Sequence, residues 1–254
     1  GEAGKLASAG TPVQITTGIP TLDDGIGGGM ERGDLFVLGG DTGTGKSHLA
    51  RTAIKWNSAR GKKAVGLIAP WAEAVSYAGL DFEYEVLIDS EWNPGARIFT
   101  TGAHKLLDTT LTAWEKRDDI GLVILDTMNA GPSDTLWRQI VAEVGTDDFT
   151  QMGGNARQPY TTYASRMKRF MDRIDLLRFR KRCHVVKLWH QDIREFEGAG
   201  TARKESEKVG QGFKTVTHWD AVRLPELYGQ IMRQSILKWC DMGFYSEPVI
   251  GSNP

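Results

Sequence analysis

Short continuous apolar runs alternate along this chain with stretches whose apolar residues recur at helical spacing, the rhythm of a parallel sheet covered by helices. A first strand is expected over Asp34–Gly39, leading directly into a glycine-rich turn. The helix after it begins at Gly45 or Lys46, turns Leu49, Ala53, Ile54 and Trp56 inward, and stops near Arg60-Gly61, a basic residue followed by glycine. Ala64–Ala69 is apolar throughout and suits a strand buried on both faces. Glu83–Asp89 reads as a third strand, Ala103–Arg117 as its following helix, and Gly121–Asp126 as the clearest buried strand. Over Tyr160–Arg182 one face carries Tyr163, Met167, Phe170, Met171, Ile174 and Leu177, which predicts a long helix. His184–Trp189 is another buried strand; Ala221–Leu224 and Ile236–Trp239 are the last ones expected.

Two stretches break the rhythm. From Gly131 to Pro159 glycines and acids interrupt any period, and from Gln191 to Lys214 the chain is polar and glycine-bearing. Both are expected to be irregular. Loops of twenty or so residues are uncommon unless they serve a function.

The length of 254 residues fits one α/β domain with modest insertions. The expected organisation is a small-residue tail over residues 1–10 and a single domain over residues 11–254, with no internal repeat. A 40% apolar and 25% charged composition is that of a soluble globular protein. The net charge of −1 excludes a chain that is basic overall, though not a local basic groove. No run approaches the ~18 apolar residues of a membrane helix, and Gly1–Gly10 lacks the basic-then-apolar order of a secretory signal. Cys183 and Cys240 are too few for a disulfide framework and lack zinc or redox spacing. They read as reduced, buried thiols, which points to the cytoplasm.

One motif changes the picture. Gly40-Asp41-Thr42-Gly43-Thr44-Gly45-Lys46-Ser47 matches the phosphate-loop pattern G-x-x-x-x-G-K-[ST] in full. Glycines let successive backbone N–H groups turn inward as an anion nest, and the helix that follows adds its positive end to the same point. Lys46 would reach the β- and γ-phosphates of ATP, and the Ser47 hydroxyl would bind Mg²⁺. A partner carboxylate is expected at the end of a neighbouring strand. Leu122-Val123-Ile124-Leu125-Asp126 ends in one, the Walker B pattern, and nominates Asp126 for the metal.

Around the loop, Thr17-Gly18-Ile19-Pro20-Thr21-Leu22-Asp23, followed by Gly27-Gly28-Gly29-Met30-Glu31-Arg32-Gly33, resembles the leading segment of the RecA/KaiC family. The resemblance covers roughly Thr11 to Trp239 and is sharp only at the motifs. It implies a RecA-like P-loop core, a mostly parallel twisted sheet flanked by helices. Val185–Gln191 is similar to the family's fourth core strand, which in recombinases ends in a γ-phosphate-sensing glutamine. Gln191 matches that residue, with His190 as the neighbour for the same role. The family's catalytic glutamate follows its second core strand. Glu73 has that position, slightly late; Glu91, in Ile88-Asp89-Ser90-Glu91, has the more familiar local sequence but follows the third strand. Element order favours Glu73. The two irregular stretches fall where recombinases carry mobile DNA-binding loops.

The resemblance implies a Mg²⁺-dependent ATPase coupling nucleotide state to single-stranded DNA binding, similar to minimal phage-type RecA cores in recombination or strand annealing. The alternatives are the ATPase domain of a ring helicase and a KaiC-like regulatory ATPase without a DNA role. All three imply a homo-oligomer, ring or filament, in which a neighbour supplies a basic residue; Arg223, Arg233 and Lys238 lie in the corresponding late region.

Evidence for DNA contact in the residues themselves is divided. Between Arg166 and Arg182 there are eight basic residues against two acids, a cluster that counterion release would reward. The basics also fall between apolar positions, as on a solvated helix face. The later stretch holds Arg194, Arg203, Lys204, Lys208 and Lys214 with Phe196 and Phe213, a combination suited to stacking on single strands, but five acids are interleaved. The eight tryptophans fall mostly on apolar faces, and His104, His184 and His218 lack metal-ligand spacing.

Overall fold

In the computed structural model the described residues are 20–25, 27–29, 35–40, 45–89, 91–95, 98–100, 102–195, 203–209, 212–218, 221–225 and 242–246. Apolar runs become strands stacked side by side: β1 (Leu35–Gly40), β2 (Lys63–Ile68), β3 (Phe82–Val86), β6 (Ile120–Asp126), β7 (His184–Glu195) and β11 (Met242–Ser246). Their order across the sheet is β11-β1-β7-β6-β2-β3, and every neighbouring pair along that path is parallel. The chain is thus α/β with a parallel sheet, and helices cover both faces.

The period of two along each strand sorts the side chains between two apolar layers. Ala64, Ile68, Leu122, Ile124, Val186 and Leu188 pack with Ala50, Ala53 and Ile54 of α2 (Lys46–Ser58), preceded in the chain by the short helix α1 (Pro20–Gly25). Val65, Leu67, Val123, Leu125 and Val185 face the other side. There they meet α3 (Ala103–Glu115), α4 (Asp134–Val144) and α5 (Gln158–Lys181). All six apolar positions expected on the α5 face are buried, as is the Cys183 thiol beyond it. Burial pushes that thiol up to about 11, which makes it unreactive at neutral pH.

Both stretches expected to be irregular contain regular structure. Residues 131–159 hold α4 and a 3-10 segment over Phe149–Asn155. The α4 stripe of Leu136, Ile140 and Val141 is buried, and Gly145 ends the helix at φ 82°, the left-handed stop that glycine permits. In the second stretch β7 continues to Glu195, and β8 (Arg203–Val209) pairs with β9 (Gly212–His218) as an antiparallel hairpin. Backbone pairing needs no apolar side chains, so a polar run can form this hairpin. The far half of β7 pairs antiparallel with β10 (Ala221–Pro225), Gln191 opposite Pro225 and Glu195 opposite Ala221.

A small antiparallel pair, β4 (Glu91–Asn93) with β5 (Ile98–Thr100), precedes α3. The third expected strand is shorter than its pattern, ending at Val86 rather than Asp89. The expected strand over Ile236–Trp239 and the residues Arg233, Lys238 and Cys240 lie outside the described residues, as does the tail of residues 1–10.

Candidate functional site

Parallel pairing puts the carboxyl ends of β1, β2, β6 and β7 at one edge of the sheet, where open α/β folds bind ligands. Backbone hydrogen bonds fix that edge. Ala69 N donates to Asp126 O at 2.7 Å, Thr127 N to Ala69 O at 2.8 Å, and Met128 N to Leu188 O at 2.8 Å. His190 N donates to Asn129 Oδ1 at 2.7 Å. The peptide between Asp126 and Thr127 is cis.

Helix α2 starts at this edge. Gly45 precedes it at φ 86° and ψ 10°, a left-handed conformation that a side chain would resist, and Leu49 N bonds to Gly45 O at 3.1 Å. Lys46 and Ser47 follow in its first turn, where N–H groups lack helical partners. Lys46 is buried, only 5% exposed, unusual for a lysine and costly unless anionic groups are near. Gly40 ends β1 beside His190 of β7. Asp41, Thr42, Gly43 and Thr44 of the motif lie outside the described residues.

Asp126 ends β6 on the α2 side, 1% exposed. The Ser47 hydroxyl lies 3.0 Å from its Oδ2 and 3.5 Å from Glu73 Oε2. A hydroxyl has one proton to give, and the shorter contact assigns it to Asp126. Tyr77 OH donates to the same Oδ2 at 2.6 Å. Burial pushes the Asp126 carboxyl up to about 6, the hydrogen bonds from Tyr77 and Ser47 pull it down, Glu73 pushes it up and Lys46 lowers it. Its other oxygen, Oδ1, is buried with no hydrogen-bond partner among the described residues. Tyr77, itself buried against Asp126, is held well above its ordinary value by desolvation and that carboxylate.

Glu73 reaches the site from the 3-10 turn Trp71–Tyr77 after β2. Arg51 of α2 hydrogen-bonds the Ser76 carbonyl and ties this turn to the helix. A cavity of about 280 Å³ opens here, lined among others by Gly45, Lys46, Ser47, Glu73, Asp126 and His190. Of the sequence candidates, the structure therefore gathers Gly45, Lys46, Ser47, Glu73 and Asp126 at one cavity, with His190 on its wall. Gln191 follows on β7, and its side chain lies outside the description; so does that of Glu91, on β4. Tyr77 was not singled out from the sequence. No local pattern marks it, because the carboxylate it binds, Asp126, is 49 positions away in the chain.

The donor set fits a hard divalent cation. Mg²⁺ takes oxygen ligands and uses one or two carboxylates with substrate phosphates and waters. Here the Ser47 hydroxyl meets a carboxylate whose second oxygen lacks a partner among the described residues. Among the described residues no group of three or more His, Cys, Asp or Glu side chains could hold a metal alone, so phosphate and water oxygens would complete the shell.

Of the eight basic residues between Arg166 and Arg182, Arg166, Lys168, Arg173 and Lys181 are held in ion pairs. Arg166 reaches Glu143 at 2.6 Å, Lys168 reaches Asp172 at 2.6 Å, and Lys181 reaches Asp118 at 2.7 Å. Arg173 bridges Asp108 and Glu115 at 2.5 and 2.8 Å. Lys168–Asp172 lies within α5, and the other pairs bind α5 to α3, α4 and the turn before β6. No helix among the described residues is long and apolar enough to cross a membrane. Neither models of known protein families nor curated proteins give a match to this chain.

Proposed function

We propose that this chain is a Mg²⁺-dependent ATPase with a RecA-type core, which couples ATP binding and hydrolysis to single-stranded DNA binding in an oligomer. The observation that carries the nucleotide part is the meeting of Lys46, Ser47, Glu73 and Asp126 around one cavity at the carboxyl edge of the sheet. Lys46 holds the β- and γ-phosphate charge at the positive end of α2. The Ser47 hydroxyl and the Asp126 carboxylate would hold the cation, which would supply positive charge beside the phosphate oxygens. Glu73, half-buried with its Oε2 3.5 Å from the Ser47 hydroxyl, takes the proton of the attacking water. That His190 lines the cavity, with Gln191 next to it where β7 leaves its pairing with β1, supports one of the two as the γ-phosphate sensor.

The ion pairing of α5 favours a second reading, a KaiC-like or partner-gated ATPase without a DNA role. With Arg166, Lys168, Arg173 and Lys181 paired to carboxylates, that helix offers less free positive charge to a phosphate backbone. ATP hydrolysis measured with and without single-stranded DNA separates the two. Strong stimulation, absent in Lys46→Ala, supports DNA coupling; turnover indifferent to DNA selects the second reading.

A further inference from the structure

At the opposite edge of the sheet a second concavity is built from basic groups. The cleft holds about 180 Å³ and lies where α2 ends and where β6 and β7 begin; Arg60, Lys62, Arg182 and His184 line it with Trp56, and among the described residues no carboxylate does. We infer that this cleft binds a phosphate group, at a site distinct from the cavity around Lys46. Strand geometry puts the two about 17 Å apart, counting from Gly121 to Asp126 along β6.

The cleft is ordered rather than a loose fringe of cations. The Arg60 guanidinium stacks on the Trp56 indole at 3.5 Å from its centroid, which fixes the plane of its donor fork. Trp56 in turn meets His184 edge-on, with ring centroids 6.3 Å apart and planes at 87°. Asn57 Nδ2 donates to Lys62 O at 2.8 Å and pins the turn that carries Arg60 and Lys62. At Gly121 a Cβ would sit 2.4 Å from Asn57 Oδ1 and 2.6 Å from Lys62 Cβ, so this floor accepts only glycine without rearrangement. Arg182, from the far end of α5, closes the cleft in a left-handed conformation at φ 49°.

Basic residues past helix ends also offset the helix dipole, and both α2 and α5 end here. Each helix end carries about half a negative charge, against the full positive charges on Arg60 and Lys62 alone. Those two by themselves leave the cleft positive by about one charge. The nearby acids are engaged elsewhere, Asp118 with Lys181 and Asp119 with Arg117. Neither Arg60 nor Lys62 forms an ion pair among the described residues. Two guanidinium forks and an ammonium around a cleft several times the ~30 Å³ share of one water molecule match the charge and size of a tetrahedral dianion.

The test is a titration of inorganic phosphate followed by ³¹P NMR, in the Lys46→Ala protein so that the other cavity does not contribute. Saturable binding is expected. It should weaken about tenfold or more in the Arg60→Gln/Lys62→Gln variant, and again in Arg182→Gln, which leaves the Arg60–Trp56 stack in place. Circular dichroism checks that each variant is folded. Absence of saturable binding, or binding unchanged in both folded variants, overturns the inference. A single-stranded oligonucleotide that displaces the phosphate identifies a polynucleotide backbone as the natural source; failure to displace it identifies a small phosphorylated molecule or free phosphate.

Discussion

Replacing Asp126 by asparagine should make the cation-free protein more stable, by an amount that depends on pH in a calculable way. The carboxyl has an ordinary value of 3.8 and is pushed up to about 6 in the fold, chiefly by burial. Below about pH 4 the group is protonated in both folded and unfolded chains, and it costs the fold nothing. Between about pH 4 and 6 the unfolded chain releases the proton while the folded chain keeps it, so stability is lost as pH rises. Above about pH 6 the charge is buried in full, and the loss levels off. At 1.36 kcal/mol for each pH unit the cost reaches about 3 kcal/mol. The amide of Asp126→Asn can still accept the hydrogen bonds from Tyr77 and Ser47 but carries no charge. Denaturant unfolding of both proteins without divalent cations, across about pH 4 to 8, isolates the group, because other titrations cancel in the difference. The variant should gain little at the acid end and about 3 kcal/mol at neutral pH. For a chain of this size that is a rise in Tm of about 6–12 °C. Magnesium should raise the wild-type Tm and leave the variant unmoved. A stability difference that does not change with pH would refute the reasoning, since it would mean that the buried carboxylate carries no desolvation cost.

Other outcomes follow from the same geometry. Glu73→Gln should lower kcat by a factor of about 10² to 10⁴ while leaving ATP affinity within a few-fold, the pattern of a lost proton acceptor; the same change at Glu91 should leave kcat within a few-fold. Steady-state kinetics of the two variants decides between the two glutamates. Tyr77→Phe removes a hydrogen bond that holds the Asp126 carboxyl down, so the carboxyl should rise above about 6. The pH at which magnesium begins to stabilise the fold should then move upward, read from Tm against pH with and without the cation.

What was legible in the sequence depended on how strongly burial acts on a segment. β2, β6 and the inner half of β7 are buried on both faces; the apolar runs of β2 and β6 announced them within a residue, and that of β7 was plain although Lys187 interrupts it. The α5 stripe was equally plain, because a long helix against a sheet repeats its pattern many times. α4 is shorter, and flanking glycines and acids diluted its period, although Leu136, Trp137, Ile140, Val141 and Val144 do recur at helical spacing. The β8–β9 hairpin had no such stripe: Arg203–Val209 is charged almost throughout, and its pairing rests on the backbone.

At the site, Lys46, Ser47 and Asp126 were named by motif, while Tyr77 was not. A tyrosine that grips a carboxylate 49 positions away leaves no trace in local pattern. The α5 charges show the opposite failure. Their run looked like one cluster in sequence, yet its partners, Asp108, Glu115, Asp118 and Glu143, come from segments brought alongside only by folding.

The central claim is that the cavity around Lys46 and Asp126 takes ATP with Mg²⁺. Calorimetric titration of ATP into the intact chain, with and without magnesium and with Lys46→Ala alongside, tests it most directly. The account predicts saturable binding at one site per chain that strengthens with magnesium and weakens by about a hundredfold in Lys46→Ala. Folded protein that binds no ATP, or binds it equally well in Lys46→Ala, would contradict it.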